Sequence, residues 1–124
     1  SIFPWSKEEY LQDWVTWVKQ GYVDLVIPQL YRQNLGDYIK ILDDIVKEQL
    51  TKEELKKFYP GILLKVGSYY PSKQLLKDMI NENRKRNING EVFFFYEGLK
   101  KYLNIFKEQI YTDKVIFPKY LTKE

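Results

Sequence analysis

The sequence predicts an α/β fold of about three parallel strands alternating with helices, and three observations predict it. Residues 23–30, 62–67 and 91–95 form short runs that are almost wholly apolar instead of alternating. Strands of that kind are buried on both faces, as in parallel sheets covered by helices. Each run is followed by a stretch with helical spacing, and the starts lie roughly 30–40 residues apart, the period of a βα unit. Each run also closes on polar and aromatic residues: Tyr31-Arg32, Ser68-Tyr69-Tyr70 and Tyr96-Glu97. Ligands bind at the carboxyl ends of parallel strands, so these clusters mark the expected site.

The elements follow in order. Pro4, then Ser6 with Glu9 three residues on, is a capping-box start. Tyr10, Leu11, Trp14, Val15, Trp17 and Val18 continue it at helical spacing, and Gly21 supplies a left-handed stop. The first strand follows at once. Tyr38, Ile41, Leu42, Ile45 and Val46 mark a second helix, and Thr51 with Glu54 opens a short one through Leu55 and Phe58. Pro60-Gly61 breaks it and leads into the second strand. Pro71-Ser72 starts a helix carrying Leu75, Leu76, Met79 and Ile80, ended by Asn89-Gly90. After the third strand, Gly98 opens a last helix through Leu99, Tyr102, Leu103, Phe106 and Ile110. Residues 112–124 are extended or irregular, with Pro118 ruling out a continuing helix.

No linker, low-complexity tract or strong repeat interrupts this order, so residues 1–124 read as one unit. Three parallel strands leave two apolar outer edges exposed. A doubly wound domain of this length would carry about four or five strands. The shortage points to an arc of a (β/α)8 TIM barrel, which spends about 30 residues per unit over roughly 250.

Composition narrows the function. The chain has 124 residues, 44% of them hydrophobic, enough for one domain with a real core. Its 20 basic and 17 acidic residues nearly cancel. A net charge of +3 is a weak signal for a polyanion, and no nucleic-acid partner is expected. The short basic runs Arg84-Lys85-Arg86 and Lys100-Lys101 read as solvated helix surface. No apolar stretch approaches the roughly 20 residues of a membrane span. Without Cys or His there is no thiol nucleophile, no Ser-His-Asp triad and no His- or Cys-ligated metal. No phosphate loop or dinucleotide fingerprint occurs, and neither cofactor nor metal is expected. Acid–base chemistry falls to Asp, Glu, Tyr or Lys. Aromatics reach 17%, including 11 Tyr and 3 Trp, which suits sugar stacking or a dense core. Ser1 begins mid-pattern just before a helix, as if cut from a larger protein, so a missing signal peptide is silent about compartment.

Phe3-Pro4-Trp5-Ser6, Tyr10-Leu11-Gln12-Asp13-Trp14, Trp17 and Gly21 before Val23-Asp24, and Pro28-Gln29-Leu30-Tyr31-Arg32 form a consecutive set. Together they resemble the bacterial family-10-like glycosyl hydrolases, many of them exported or lipoproteins. The stretch from Gly90-Glu91 through Phe93-Phe94-Phe95 to Gly98-Leu99 resembles that family's last barrel strand. The resemblance implies the C-terminal portion of a TIM-barrel glycosidase, from the loop after strand five to the helix after strand eight. It implies a polysaccharide or peptidoglycan glycan as substrate. The parent would be exported, periplasmic or cell-surface. The family's main catalytic acid is expected in the absent half, which leaves the fragment itself inactive.

Glu97 is the foremost catalytic candidate, because Phe93, Phe94, Phe95 and Tyr96 would lower the dielectric around it and raise its pKa, as for a glycosidase general acid. Its other reading is a cap for the helix near Gly98. Substrate-binding candidates are Gln29, Tyr31, Arg32, Trp5, Tyr69 and Tyr70. Gln29 and Tyr31 share one strand face while Leu30 points away. Arg32 offers a fork of donors, or else pairs with Asp37. Trp5, Tyr69 and Tyr70 lie in strand-end loops where aromatics form sugar platforms. Asp24 begins its strand, the stability face, and Trp14 and Trp17 read as core. The partners expected are a carbohydrate and either the rest of the parent barrel or a second copy. The rival function is a non-catalytic carbohydrate-binding or assembly module.

Overall fold

The computed structural model describes residues 2–114 and shows a mixed helix–strand fold with a small parallel sheet. Strand β1 (Gly61–Leu63) pairs in parallel with β2 (Val92–Phe94), in the register Gly61 to Val92 and Leu63 to Phe94. The expected first strand lies on the other side of β1, joined by two isolated parallel bridges, Val26 to Phe58 and Gln29 to Gly61. Pro28 explains the interruption: it sits in the row facing β1 and has no N–H to give. Its carbonyl still accepts from Gly61 N at 2.9 Å. A Cβ on Gly61 would stand 3.1 Å from that oxygen, so glycine permits the approach. The second strand is shorter than its apolar run, because Val66 turns back at Gly67 (φ +56°) to pair with Tyr69.

The helices depart from expectation mainly at their ends. The first is split into α1 (Trp5–Tyr10) and α2 (Trp14–Lys19) by Leu11 in a left-handed conformation. Ser6 is not the cap. It is buried, and its hydroxyl donates to the Gln12 carbonyl at 3.1 Å. Asp13 caps α2 instead, accepting from Thr16 N. Helix α3 (Leu35–Asp44) is capped by Asn34 and runs on into a wider turn, Ile45–Gln49. Thr51 and Glu54 do form a reciprocal capping box around the 3₁₀ turn Glu54–Lys57, at 3.0 and 3.2 Å. Helix α4 (Lys73–Lys85) starts on Ser72, as its sequence predicts. It ends earlier than Asn89-Gly90, at Asn87 with φ +57°. Gly98 lies inside a 3₁₀ helix, Tyr96–Tyr102, which passes through α5 (Leu103–Ile105) into a wide turn, Phe106–Ile110. Pro118 and the rest of the predicted tail beyond residue 114 lie outside the described residues.

One core unites these pieces. Val15 and Val18 of α2, Leu42 of α3, Leu76 and Ile80 of α4, and Ile105 and Phe106 pack with Leu30, Ile62 and Leu64 of the sheet. Each fully buried side chain of this size contributes about 1.5–3 kcal/mol. Arg86 ties α3 to α4 through Asp43 at 2.9 Å and Glu82 at 2.6 Å.

Burial on both sheet faces is the expectation the structure overturns. Leu30, Ile62 and Leu64 meet the helices, whereas their strand neighbours Ile27, Gln29, Val92 and Phe94 are exposed. Among the described residues the helices cover one face only. The apolar runs therefore reflect a second face that the described residues leave uncovered.

Candidate functional site

The carboxyl ends of the three extended segments gather the residues that carry chemistry. Leu30 is buried and Gln29 and Tyr31 lie on the opposite face, as alternation requires. Tyr31 stacks on Phe94 with centroids 6.2 Å apart, and Phe94 leans on Phe95 at 4.3 Å. The Phe94–Phe95 peptide is cis. Burial pushes the Tyr31 phenol up from its ordinary value.

Glu97 follows in the first turn of the 3₁₀ helix and pairs with Lys65 at 3.5 Å. Its side chain is 77% exposed. The expected apolar pocket is absent, because Phe94, Phe95 and Tyr96 are themselves exposed and Phe93 turns away to Phe106 and Tyr111. No side-chain hydrogen bond caps this helix either, so the capping role is not seen. Lys65 also faces the Tyr70 ring at 6.0 Å, and Lys101 lies over the same ring at 4.2 Å. Glu97, Lys65, Tyr70 and Lys101 thus form one connected group. Behind it, Tyr102 donates to the Pro71 carbonyl at 2.6 Å, and burial, with Tyr69 and Tyr70 nearby, pushes its phenol up to about 12. Burial also raises the Tyr69 phenol.

Gly98 fixes the path of the chain at Glu97. A Cβ there would stand 2.8 Å from Leu64 Cβ and 3.1 Å from the Leu64 carbonyl carbon. Gly98→Ala is expected to cost about 1–3 kcal/mol by overpacking and to break the Glu97–Lys65 pair. Urea unfolding checks the first effect, and unchanged stability would contradict this close approach.

The other predicted residues lie elsewhere. Trp5 and Gln29 share a groove of about 670 Å³ with Tyr10, Trp17 and Ile27, running along the open edge of residues 26–29. Trp5 meets Tyr10 edge to face at 5.0 Å. Trp14 is core, as expected, stacked on Phe58, while its indole N–H finds no partner among the described residues. Trp17 is partly exposed on the groove and so departs from its predicted core role. Arg32 donates to the Tyr31 carbonyl at 2.7 Å and faces a second groove with Lys40 and Lys47. Asp37 is engaged by Asn34, not by Arg32.

One polar system escaped the sequence reading. Tyr38 donates to Asn83 at 2.7 Å, Asn83 donates to Glu91 at 3.0 Å, and Tyr111 donates to the other Glu91 oxygen at 2.5 Å. Tyr38 and Asn83 are fully buried. Desolvation raises the Glu91 carboxyl above the usual carboxylate range, outweighing the hydrogen bonds from Tyr111 and Asn83. The signal was present: Asn83 continues the α4 stripe of Leu76, Met79 and Ile80, and a polar residue on an apolar stripe needs a buried partner. Glu91 opens β2, at the end opposite Glu97, which marks this network as structural support.

No group of metal-capable side chains gathers among the described residues, and no described helix is long and apolar enough to cross a membrane.

Parallel strands carrying helices on one face, with aromatic, acidic and basic groups at their carboxyl ends, make up a mixed α/β unit. The chain belongs to the glycosyl hydrolase-like 10 family, whose model matches residues 1–69, more than half of its length. The matched part holds Trp5, Gln29, Tyr31, Arg32 and Tyr69, whereas Tyr70 and Glu97 lie beyond it. No curated protein and no solved structure in the comparisons matches the chain.

Proposed function

We propose that this chain forms the closing βα units of a glycoside hydrolase barrel and contributes part of its carbohydrate site. The observation that carries this reading is the uncovered apolar sheet face ending in the Tyr31–Phe94 stack and the Glu97–Lys65 pair. A barrel places such a face inward and its ligand at that end. On this reading residues 1–124 run from the loop after strand five to the helix after strand eight. Tyr31 and Phe94 stack on a sugar ring, Gln29 and Arg32 hold hydroxyls or acid groups, and Trp5, Tyr69 and Tyr70 serve as platforms. Glu97 acts as an acid–base or substrate-binding carboxylate. The substrate is a polysaccharide or peptidoglycan glycan, met in an exported, periplasmic or cell-surface setting.

A second reading has its own support. Glu97 is open to water beside a lysine, which suits a group that binds glycan without cleaving it. Hydrolysis separates the two. Residues 1–124 alone should release no reducing ends from glycan strands, while the complete barrel should. In that barrel Glu97→Gln should lower kcat by roughly 10²-fold or more. An unchanged kcat with a raised KM assigns Glu97 to binding, and robust turnover by residues 1–124 overturns the shared-barrel reading.

A further inference from the structure

Some lysines in the described residues reach an acidic side chain and others, Lys40, Lys52, Lys57 and Lys107 among them, do not. Lys7, Lys19, Lys47, Lys56, Lys65 and Lys85 each reach an acidic side chain. Lys73, Lys77, Lys100 and Lys101 reach none among the described residues, and all four line one groove of about 420 Å³. Lys73 and Lys77 stand one turn apart on α4 and supply one wall, and the paired Lys100-Lys101 supplies the other. Glu108 is the single carboxylate on its lining, so four cations face one anion. Lys77 is held by the Gln109 side-chain oxygen at 2.9 Å, and Lys101 by the Tyr70 ring. Lys73 and Lys100 carry no interaction with any described residue.

Ammonium groups crowded within a Debye length, about 8 Å at physiological salt, repel one another unless an anion sits between them. The near-neutral overall charge makes this clustering local, not a property of the whole surface. Through Lys101 and Tyr70 the groove connects with Lys65 and Glu97 at the strand ends. We propose that it binds the acidic groups of an anionic glycan, carboxylate or phosphate, and holds that chain against the carboxyl-end site. This rests on the glycan reading above and narrows it from sugars in general to acidic ones.

The cavity volume suits one or two sugar units, and the lysines are spread over two walls, so the contact follows a chain instead of a single small ion. Stiff, evenly charged duplex DNA is the competing polyanion. Its binding would depend on bulk charge more than on the two-walled shape.

Binding of the full chain to polygalacturonate, a phosphate-bearing teichoic acid, neutral glucan and duplex DNA, measured across salt concentrations, tests the proposal. The variant K73Q/K77Q/K100Q/K101Q should weaken binding of an acidic glycan by about tenfold or more and flatten its salt dependence. The control K7Q/K52Q/K56Q/K85Q removes the same charge from other surfaces and should bind as the wild type does. K73Q/K100Q, which removes only ammonium groups without a partner among the described residues, should give an intermediate loss with an unchanged melting temperature. Whichever acidic glycan binds more tightly identifies the source of the charge. Equal losses in both quadruple variants, or tighter binding of DNA than of either acidic glycan, would overturn the proposal. Neutral glucan that binds as well as the acidic chains would overturn it too, yet leave the wider glycan reading standing.

Discussion

Asn83→Ala should destabilise the fold by about 3–5 kcal/mol, the cost of stripping one member from a buried polar chain. Asn83 is the joint between two partners: it accepts from the Tyr38 hydroxyl and donates to the Glu91 carboxylate. Alanine leaves a buried hydroxyl without an acceptor and removes one of the two donors on a partly buried carboxylate. It also opens a gap in the α3–α4 seam. Denaturant unfolding reads the loss, and a cost below about 1 kcal/mol would mean that water replaces the amide. Glu91→Gln isolates the charge. The folded state raises the Glu91 carboxyl, so the folded chain holds this proton more tightly than the unfolded chain does. Stability therefore falls as pH rises from the ordinary carboxylate value through the raised one. The variant should lack that penalty, and its melting temperature should gain on the wild type as the pH rises above the ordinary carboxylate value. A difference that stays constant with pH would show that the carboxyl is not raised.

Phe58→Ala should cost a further 3–5 kcal/mol, by lost burial and by the cavity it leaves. Phe58 is fully buried, stacks on Trp14 of α2 at 6.2 Å, and bridges Val26. It binds three things at once: a helix, the end of the 3₁₀ turn and the interrupted edge segment. With two bridges as its main attachment, residues 23–30 should loosen before the rest. Hydrogen exchange should show Val26 and Leu30 amides losing protection ahead of those in α4. Uniform loss across the chain would show that the edge segment unfolds only with the whole.

Much of the fold is legible because helix stripes and caps act locally. Ser72, the Thr51–Glu54 box and the stripe of Leu76, Met79 and Ile80 state their role within one or two turns. The break after Tyr10 was not legible, because Leu11 in a left-handed conformation breaks the usual preference and Asp13 competes with Ser6 as a cap. The direction of the third strand is legible in the sequence, and its surroundings are not. Apolar residues on successive positions imply two covered faces, and sequence does not say which molecule or segment supplies the second cover.

For the site, alternation placed Gln29 and Tyr31 opposite Leu30 without any coordinates. Exposure of Glu97 was not readable, since it depends on where Phe93 to Tyr96 turn after the strand. Lys65 is not marked in the sequence, because a lone lysine inside an apolar run carries no pattern of its own. In the Tyr38–Asn83–Glu91–Tyr111 chain only Asn83 carries a local signal, as a polar residue on an apolar stripe, and its partners come from other segments.

Pro28 gives the edge segment two unequal sides. Towards β1 the row of Val26, Pro28 and Leu30 is short of one donor, and the bonds that form there come as two separate pairs. Away from β1 the backbone groups of Leu25, Ile27 and Gln29 are intact and have no partner among the described residues. The better ladder is therefore the one still unmade. A strand arriving on that side would zip up more bonds than the segment now spends on its own sheet, beside a groove already walled by Trp5, Tyr10 and Trp17. Edges of this kind take whichever strand comes first, so order of arrival decides between completion and clumping.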